Sequence, residues 1–263
     1  MRVKFILLLC AVAFSFKAYS SPFEEPECLK TNINFWYDIY TKYDAEDGLV
    51  IDATSPEIKI LNKVKLPLDD RARKKLTKRI KFSYEFKDMK VRIQRGVKTR
   101  FQEGLVSYVK LRSMVEAQLK KQNMPVEISA LPHVESGYNV RAISKVGARG
   151  LWQVMPGTAR MYGLNPKLLM DPSYNTKAGL FVIGTNYAEL NSWPLSLTAY
   201  NHGLEGVKRA VKEVGSTDIC KVVTDYKGTR FGVSSRNFYA SFLAVLRILR
   251  EKGLMNTPKE EKQ

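Results

Sequence analysis

The stretch "LPHVESGYN", residues 131–139, sets one carboxylate, Glu135, behind a short apolar run and directly before Ser136 and Gly137. Pro125, upstream of it, suits the first turn of a helix. From there Ile128, Leu131 and Glu135 fall at i, i+3 and i+7, so the acid ends the stripe that faces a core. Pro132 removes a backbone donor and predicts a kink or a restart, and Gly137 supplies a stop. An acid at that point sits at a helix C-terminus, where the backbone dipole disfavours negative charge, and beside apolar neighbours that disfavour it again. Both effects raise its pKa. A carboxyl still protonated near neutrality suits general-acid chemistry; the plainer reading of a glutamate at a helix end is a surface residue or a cap partner.

Working outward, "SKVGARGLWQVMPGTARMYGL", residues 144–164, holds Gly147 and Gly150 in a loop where a ligand can approach the backbone, with a helix expected from near Leu151. Gln153 there is a neutral donor and acceptor suited to sugar hydroxyls or acetamides. In "WPLSLTAYNHG", residues 193–203, a helix starts at Pro194 and ends with Tyr200, Asn201 and Gly203. Upstream, "FQEGLVSYVKLRSMVEAQLKKQ" from residue 101 places Leu105, Val109, Met114 or Val115 and Leu119 on one helical stripe, which reads as packing. Further helices are expected over 126–136, 151–162, 173–191, 194–200, 204–214 and 234–251, joined by short loops. The fold class is therefore mainly α, with a compact helical domain over residues 96–251.

Residues 21–95 have a different, mixed pattern. "INFWYDIYTKY" is aromatic-rich, while "GLVID" and "EIKILNKVKL" alternate as strands do around the turn-like "ATSP", which predicts a hairpin. Residues 69–95 open with acids and continue with dense Lys and Arg between apolar positions, which reads as one basic amphipathic helix. Its charge is either a solvated outer face or a surface in contact with a partner. Residues 252–263 read as a flexible tail.

The 263-residue chain is 44% hydrophobic, enough for one medium-sized core, and carries a formal net charge of +17. In the first twenty residues Arg2 and Lys4 precede "FILLLCAVAFSF", and Ala18 and Ser20 follow at the small-residue spacing of a cleavable export signal. The apolar run is short for a membrane span. Basic proteins seek anionic polymers. Export argues against nucleic acid and favours a periplasmic or secreted protein facing an anionic matrix such as peptidoglycan. Once Cys10 leaves with the signal, Cys28 and Cys220 remain, as a bridge or as two separate thiols. His133 and His202 show no ligand-pair spacing, so no metal or other cofactor is expected.

"HVESGY", "GARGLWQVMPGTARMYGL" and "TAYNHG", in this order, resemble the successive motifs of the lytic transglycosylases with a goose-type-lysozyme-like catalytic domain. The likeness extends to "VRIQRG" and "FGVSSRNFYASFLAVLRIL", so it covers residues 91–250. It implies a lysozyme-like helical fold and a monomer cleaving the MurNAc–GlcNAc β-1,4 bond of peptidoglycan strands. On this resemblance Glu135 matches the single catalytic acid and Ser136 the residue that shapes its hydrogen bonding. Gln153 lines the glycan groove, with Trp152 or Met155 in its wall, while Tyr200 and Asn201 form the pair near the acid. One departure falls in the last helix: where the family pattern places a glutamate and a tyrosine, "SSRNFY" has Ser234 and Ser235 with Phe238, so that either Tyr239 substitutes for the tyrosine or Phe238 simply packs.

The resemblance also accounts for a lone acid. Most glycosidases use two carboxylates, but the acetamido group of a muramyl residue can attack its own anomeric carbon while one acid protonates the leaving group. The product is then a 1,6-anhydro end. A hydrolytic muramidase, with Asp225 or Glu205 positioning water, is the close rival, and a glycan lacking N-acetyl groups would favour that route. An inactive wall-binding protein and a nucleic-acid binder are more distant.

Overall fold

The structure is a computed structural model that describes residues 21–256; the expected export signal and most of the expected tail lie outside the described residues. Thirteen regular elements follow one another among them. They are α1 (Lys30–Thr41), β1 (Asp47–Asp52), β2 (Ile60–Lys65), α2 (Asp70–Lys81), β3 (Val91–Arg95), α3 (Lys98–Lys121) and α4 (Leu131–Glu135), then α5 (Pro156–Met161), α6 (Pro172–Leu190), α7 (Trp193–His202), α8 (Leu204–Val214), α9 (Ile219–Asp225) and α10 (Val233–Glu251). The mainly α class holds.

The core is built around α10. The apolar sequence "FLAVLRIL" repeats hydrophobic residues on every side of the helix, so it can only be stable when surrounded. Phe242, Leu243, Val245, Leu246 and Leu249 are all buried. The helix packs against α1, α7 and the short α4, which brings the motif-bearing segments together around it.

The expected hairpin is β1 paired antiparallel with β2, and β3 joins the other edge of β1 to give the order β2-β1-β3. Strand alternation explains why the central strand is buried throughout its middle. Leu49 and Ile51 face Phe35, Ile39 and Val233, while Val50 faces the opposite way, with Phe86, Val91 and the partly buried Ile80 of α2. The sheet is thus covered on both faces. The single basic helix expected over residues 69–95 is corrected here: α2 stops at Lys81, a turn follows, and residues 91–95 form an edge strand. Val91 and Ile93 find apolar partners only in the sheet, and that tertiary gain overrides the helical reading of the charged pattern.

Helix α1, for which the aromatic-rich stretch had no assigned element, lies against α10 and α3. Trp36 Nε1 donates to Asn237 Oδ1 at 3.4 Å, and the Tyr40 and Phe101 rings meet at 4.9 Å. Cys28 and Cys220 form a disulfide with Cα atoms 6.0 Å apart, tying the segment before α1 to α9. Arg247 of α10 pairs with Glu25 nearby. The first described residues are therefore clasped onto the helical body.

Candidate active site

The segment leading to Glu135 is a 3-10 turn over Val126–Ala130 and then α4, restarting around Pro132 as the sequence implies. Ile128 and Leu131 are fully buried and fix the turn to the core. Gly137 and Tyr138 adopt positive φ (66° and 58°), so the chain reverses directly after the acid. Arg100 of α3 donates to the Ser136 carbonyl at 2.6 Å and so satisfies an orphan acceptor at the helix end.

Glu135 is crowded by protein on nearly all sides, yet part of its surface still reaches solvent. Burial pushes its carboxyl up to about 8. Desolvation alone accounts for this: α4 has only five residues, too short for the dipole contribution anticipated from the sequence. Among the described residues, no hydrogen bond or ion pair holds the carboxylate form. A partly accessible carboxyl that stays protonated at neutral pH can deliver a proton to a ligand.

Two tyrosines stand within electrostatic reach of it. Tyr200, from the end of α7, donates its hydroxyl to the Trp152 carbonyl at 2.7 Å, and its pKa is raised by burial and then by Glu135. Tyr40, from α1, is raised by burial, with Glu135 adding to the effect. Sequence reasoning found Tyr200 and missed Tyr40, because nothing local connects residue 40 to residue 135.

The Gly147–Val154 loop is held to the acid's helix by Ser136. Its hydroxyl donates to the Leu151 carbonyl at 2.7 Å and accepts from the Asn139 amide at 3.0 Å. Ser136 is fully buried, so its place is that of a staple between two loops and not of a groove-lining contact. The expected helix from Leu151 begins only at Pro156; Leu151–Val154 is a turn. Proline at the first helical position sets that start. Gln153 lies in this turn at φ 49°, and its amide nitrogen donates to the carbonyls of Gly150 (2.8 Å) and Ala142 (3.1 Å). Both amide hydrogens are used, leaving the side-chain oxygen with accepting capacity to spare. Gly150 is required: its φ is 72°, and a Cβ would stand 2.6 Å from the Leu169 carbonyl oxygen. Trp152 is fully buried, its Nε1 donating to Thr176 at 3.1 Å, so it belongs to the core and not to a groove wall. Met155 is 38% exposed and remains available for one.

Asn201 is exposed and lines a cleft of about 530 Å³ with His202, Arg209, Thr229, Arg230 and Ser235. Ser235 of α10 orients it: the hydroxyl donates to Asn201 Oδ1 at 3.2 Å and lies 3.1 Å from His202 Nδ1. Sequence reading had noted Ser235 only as part of a departure from pattern. Tyr239, expected to support the site, does not face it and is corrected here. It is 1% exposed, stacks on Phe242, and its charged neighbours are Glu24, Glu25 and Arg250, not Glu135. Helical period alone would set Tyr239, four residues on, on the side of Ser235; its ring is instead drawn toward the N-terminal segment, whose position no local pattern reveals.

His133 is a packing residue, as its setting in an apolar stretch suggests. It is 3% exposed among Phe101, Tyr108 and Tyr138, and burial pushes its pKa down to about 3. The two acids considered as water-positioning partners are elsewhere engaged. Glu205 is exposed beside Lys208, and Asp225 is exposed and accepts from Thr224. Neither perturbs Glu135. A hollow of about 680 Å³ between α3 and α6 contains none of these residues.

Comparison with known proteins finds partial similarities. The "Membrane-bound lytic murein transglycosylase D" of Escherichia coli (strain K12) is 36% identical over 103 residues, covering 37% of this chain and 23% of that protein. The "Soluble lytic murein transglycosylase" of the same strain is 36% identical over 83 residues, covering 28% of this chain and 13% of that one. This chain thus spans less than a quarter of either relative's length. A solved structure of the 70 kDa soluble lytic transglycosylase of Escherichia coli aligns with 54% of this chain and 24% of that chain, at 22% identity and a TM-score of 0.45. Residues 112–223, which contain Glu135, Gln153, Tyr200 and Asn201, match the family model described as "Transglycosylase SLT domain".

Proposed function

We propose that this chain cleaves the β-1,4 bond between N-acetylmuramic acid and N-acetylglucosamine in peptidoglycan strands as a lytic transglycosylase, with Glu135 as both acid and base. The observation that carries the reading is a partly accessible carboxyl held protonated near neutrality, with no second carboxylate coupled to it among the described residues. It sits within residues 112–223, which match the model described as "Transglycosylase SLT domain".

The steps balance with one acid. Glu135 gives its proton to the glycosidic oxygen as the bond to the muramyl anomeric carbon breaks, and the muramyl acetamido oxygen bonds to that carbon. The resulting carboxylate then takes the proton of the muramyl 6-hydroxyl, whose oxygen displaces the acetamido oxygen and closes a 1,6-anhydro ring. Glu135 ends protonated and no water is consumed. The crowding that raises its pKa favours the first step and strengthens the base in the second. Tyr200 and Tyr40 stand beside the carboxyl, the Gln153 amide oxygen is a ready acceptor for a sugar hydroxyl or acetamide, and Asn201 offers its amide from the neighbouring cleft.

A periplasmic or extracellular address agrees with the Cys28–Cys220 disulfide, which persists only in an oxidising compartment. Digestion of purified sacculi followed by mass spectrometry tests the whole reading. Anhydromuramyl ends are expected; reducing ends would replace it with hydrolysis, and intact sacculi would leave only binding.

A further inference from the structure

Helix α2 is unlike the other long helices of the molecule: of its twelve residues none is buried. Its ends are set deliberately. Asp69 accepts from the Ala72 amide at 2.6 Å as an N-cap, and Asp70 pairs with Arg73. Ile80 anchors it on the apolar face of the sheet with Val50, Phe86 and Val91. The remaining surface is cationic. Arg71, Lys74, Lys75, Lys78 and Arg79 fall at i, i+3, i+4, i+7 and i+8, one outward stripe, and all are exposed. None of the five forms an ion pair among the described residues.

Beside this stripe are large apolar side chains with no cover. Leu68, just before the helix, is 67% exposed; Phe82, at its C-cap, is 78% exposed. Tyr84 is 84% exposed with the Lys87 ammonium 4.4 Å from its ring centre. Helical phase puts Phe82 on the same side as Arg71, Lys75 and Lys78. A fixed, convex helix that presents cations together with aliphatic and aromatic groups is complementary to a surface with anionic headgroups above hydrocarbon. A soluble polyanion would neutralise the Lys and Arg side chains but would leave Leu68 and Phe82 in water.

We infer that the α2 face, with Leu68, Phe82 and Tyr84, docks this protein on the surface of an anionic lipid bilayer. The cations supply long-range attraction, and the apolar groups insert at the headgroup level and set the dwell time. Among the described residues no helix is long and apolar enough to cross a membrane.

The test is co-sedimentation of residues 21–263 with vesicles, so that the apolar first twenty residues contribute nothing. Vesicles of phosphatidylcholine alone are compared with vesicles containing phosphatidylglycerol, at about 0.1 M and about 0.5 M salt. Binding is expected only with phosphatidylglycerol and is expected to weaken at least tenfold at the higher salt. K74E/K75E/K78E/R79E should lower the affinity at least tenfold, and L68S/F82S at least threefold, with circular dichroism unchanged in both. Equal binding to both vesicle types overturns the inference. So does an unaltered affinity in L68S/F82S, which would reduce α2 to a solvated charge surface. Binding to sacculi or nucleic acid that is lost in the charge variant, without vesicle binding, overturns it in favour of a soluble polymer. None of these outcomes depends on the chemistry at Glu135.

Discussion

Glu135 and the outer stripe of α2 are opposite solutions to the placement of charge. At Glu135 one carboxyl is packed so closely that its ionised form is suppressed and its pKa stands at about 8. On α2 five cations are carried into water, unpaired with any carboxylate among the described residues. Residue type does not decide this. Glu205, also a glutamate close to a helix terminus, is exposed beside Lys208 and has no comparable crowding. What differs is how many elements converge on the position. Tyr40 of α1, Tyr200 of α7 and the 150s loop converge near Glu135, whereas α2 buries none of its residues and rests on the sheet and Phe86 through Ile80. Convergence of elements desolvates the carboxyl, whereas the open helix leaves its cations in water.

The comparison is sharpest if the two regions respond differently to substitution. Glu135→Gln keeps the shape and removes the proton donor, so turnover of sacculi should fall about 10³-fold with little change in binding to them; retained activity would remove Glu135 from the chemistry. Gly150→Ala should cost about 3 kcal/mol in urea unfolding, since its left-handed φ and the Leu169 carbonyl 2.6 Å from the added carbon allow no easy relaxation.

The pH dependence follows from the sign of the Glu135 shift. Its folded pKa, about 8, lies above the ordinary 4.5, so the group's favourable contribution is complete below pH 4.5 and is lost as pH rises through 8. Glu135→Gln should thus match the native protein in stability at pH 4 and exceed it by up to roughly 5 kcal/mol at pH 9. The native kcat/KM should decline only as pH passes about 8, where the folded donor ionises, and a profile flat to pH 9 would contradict it. Ser235→Ala frees Asn201 from its 3.2 Å bond and should raise KM about fivefold, near 1 kcal/mol, with kcat almost unchanged. At the small end, K74E/K78E on α2 should shift unfolding by less than about 0.5 kcal/mol. A larger effect would mean that α2 is packed more like the crowded region than its exposure indicates.

Much of this arrangement was legible in residue order. Pro125, Pro132 and Gly137 delimited the turn that carries Glu135, and the glycines of the 147–150 loop marked a tight backbone. The proline of α7 gave its start, and the alternation in "GLVID" gave the hairpin. These signals are local: dihedral limits, missing donors and the periods of helix and strand all act within a few residues. Residues 91–95 read as helix because their charge pattern fits one, and only the exposed edge of β1 made a strand the better choice. The family resemblance offered Tyr239 as a substitute for the tyrosine that Phe238 replaces, yet its ring is drawn to the segment around Glu24 and Glu25. Tyr40 and Ser235 escaped notice for the converse reason, since each acts on a partner that is distant in sequence.

The sequence by itself thus determined the helical class, the positions of the acid and its companion loops, and the strongly basic balance of the chain. The tertiary structure decided which tyrosines stand near Glu135, that Ser136 is a staple, that Cys28 meets Cys220, and that the acid is crowded while α2 stands open to water. Backbone preferences are set by neighbours along the chain, but desolvation is set by every segment that comes to rest against a side chain, and so it exists only once the whole chain has folded.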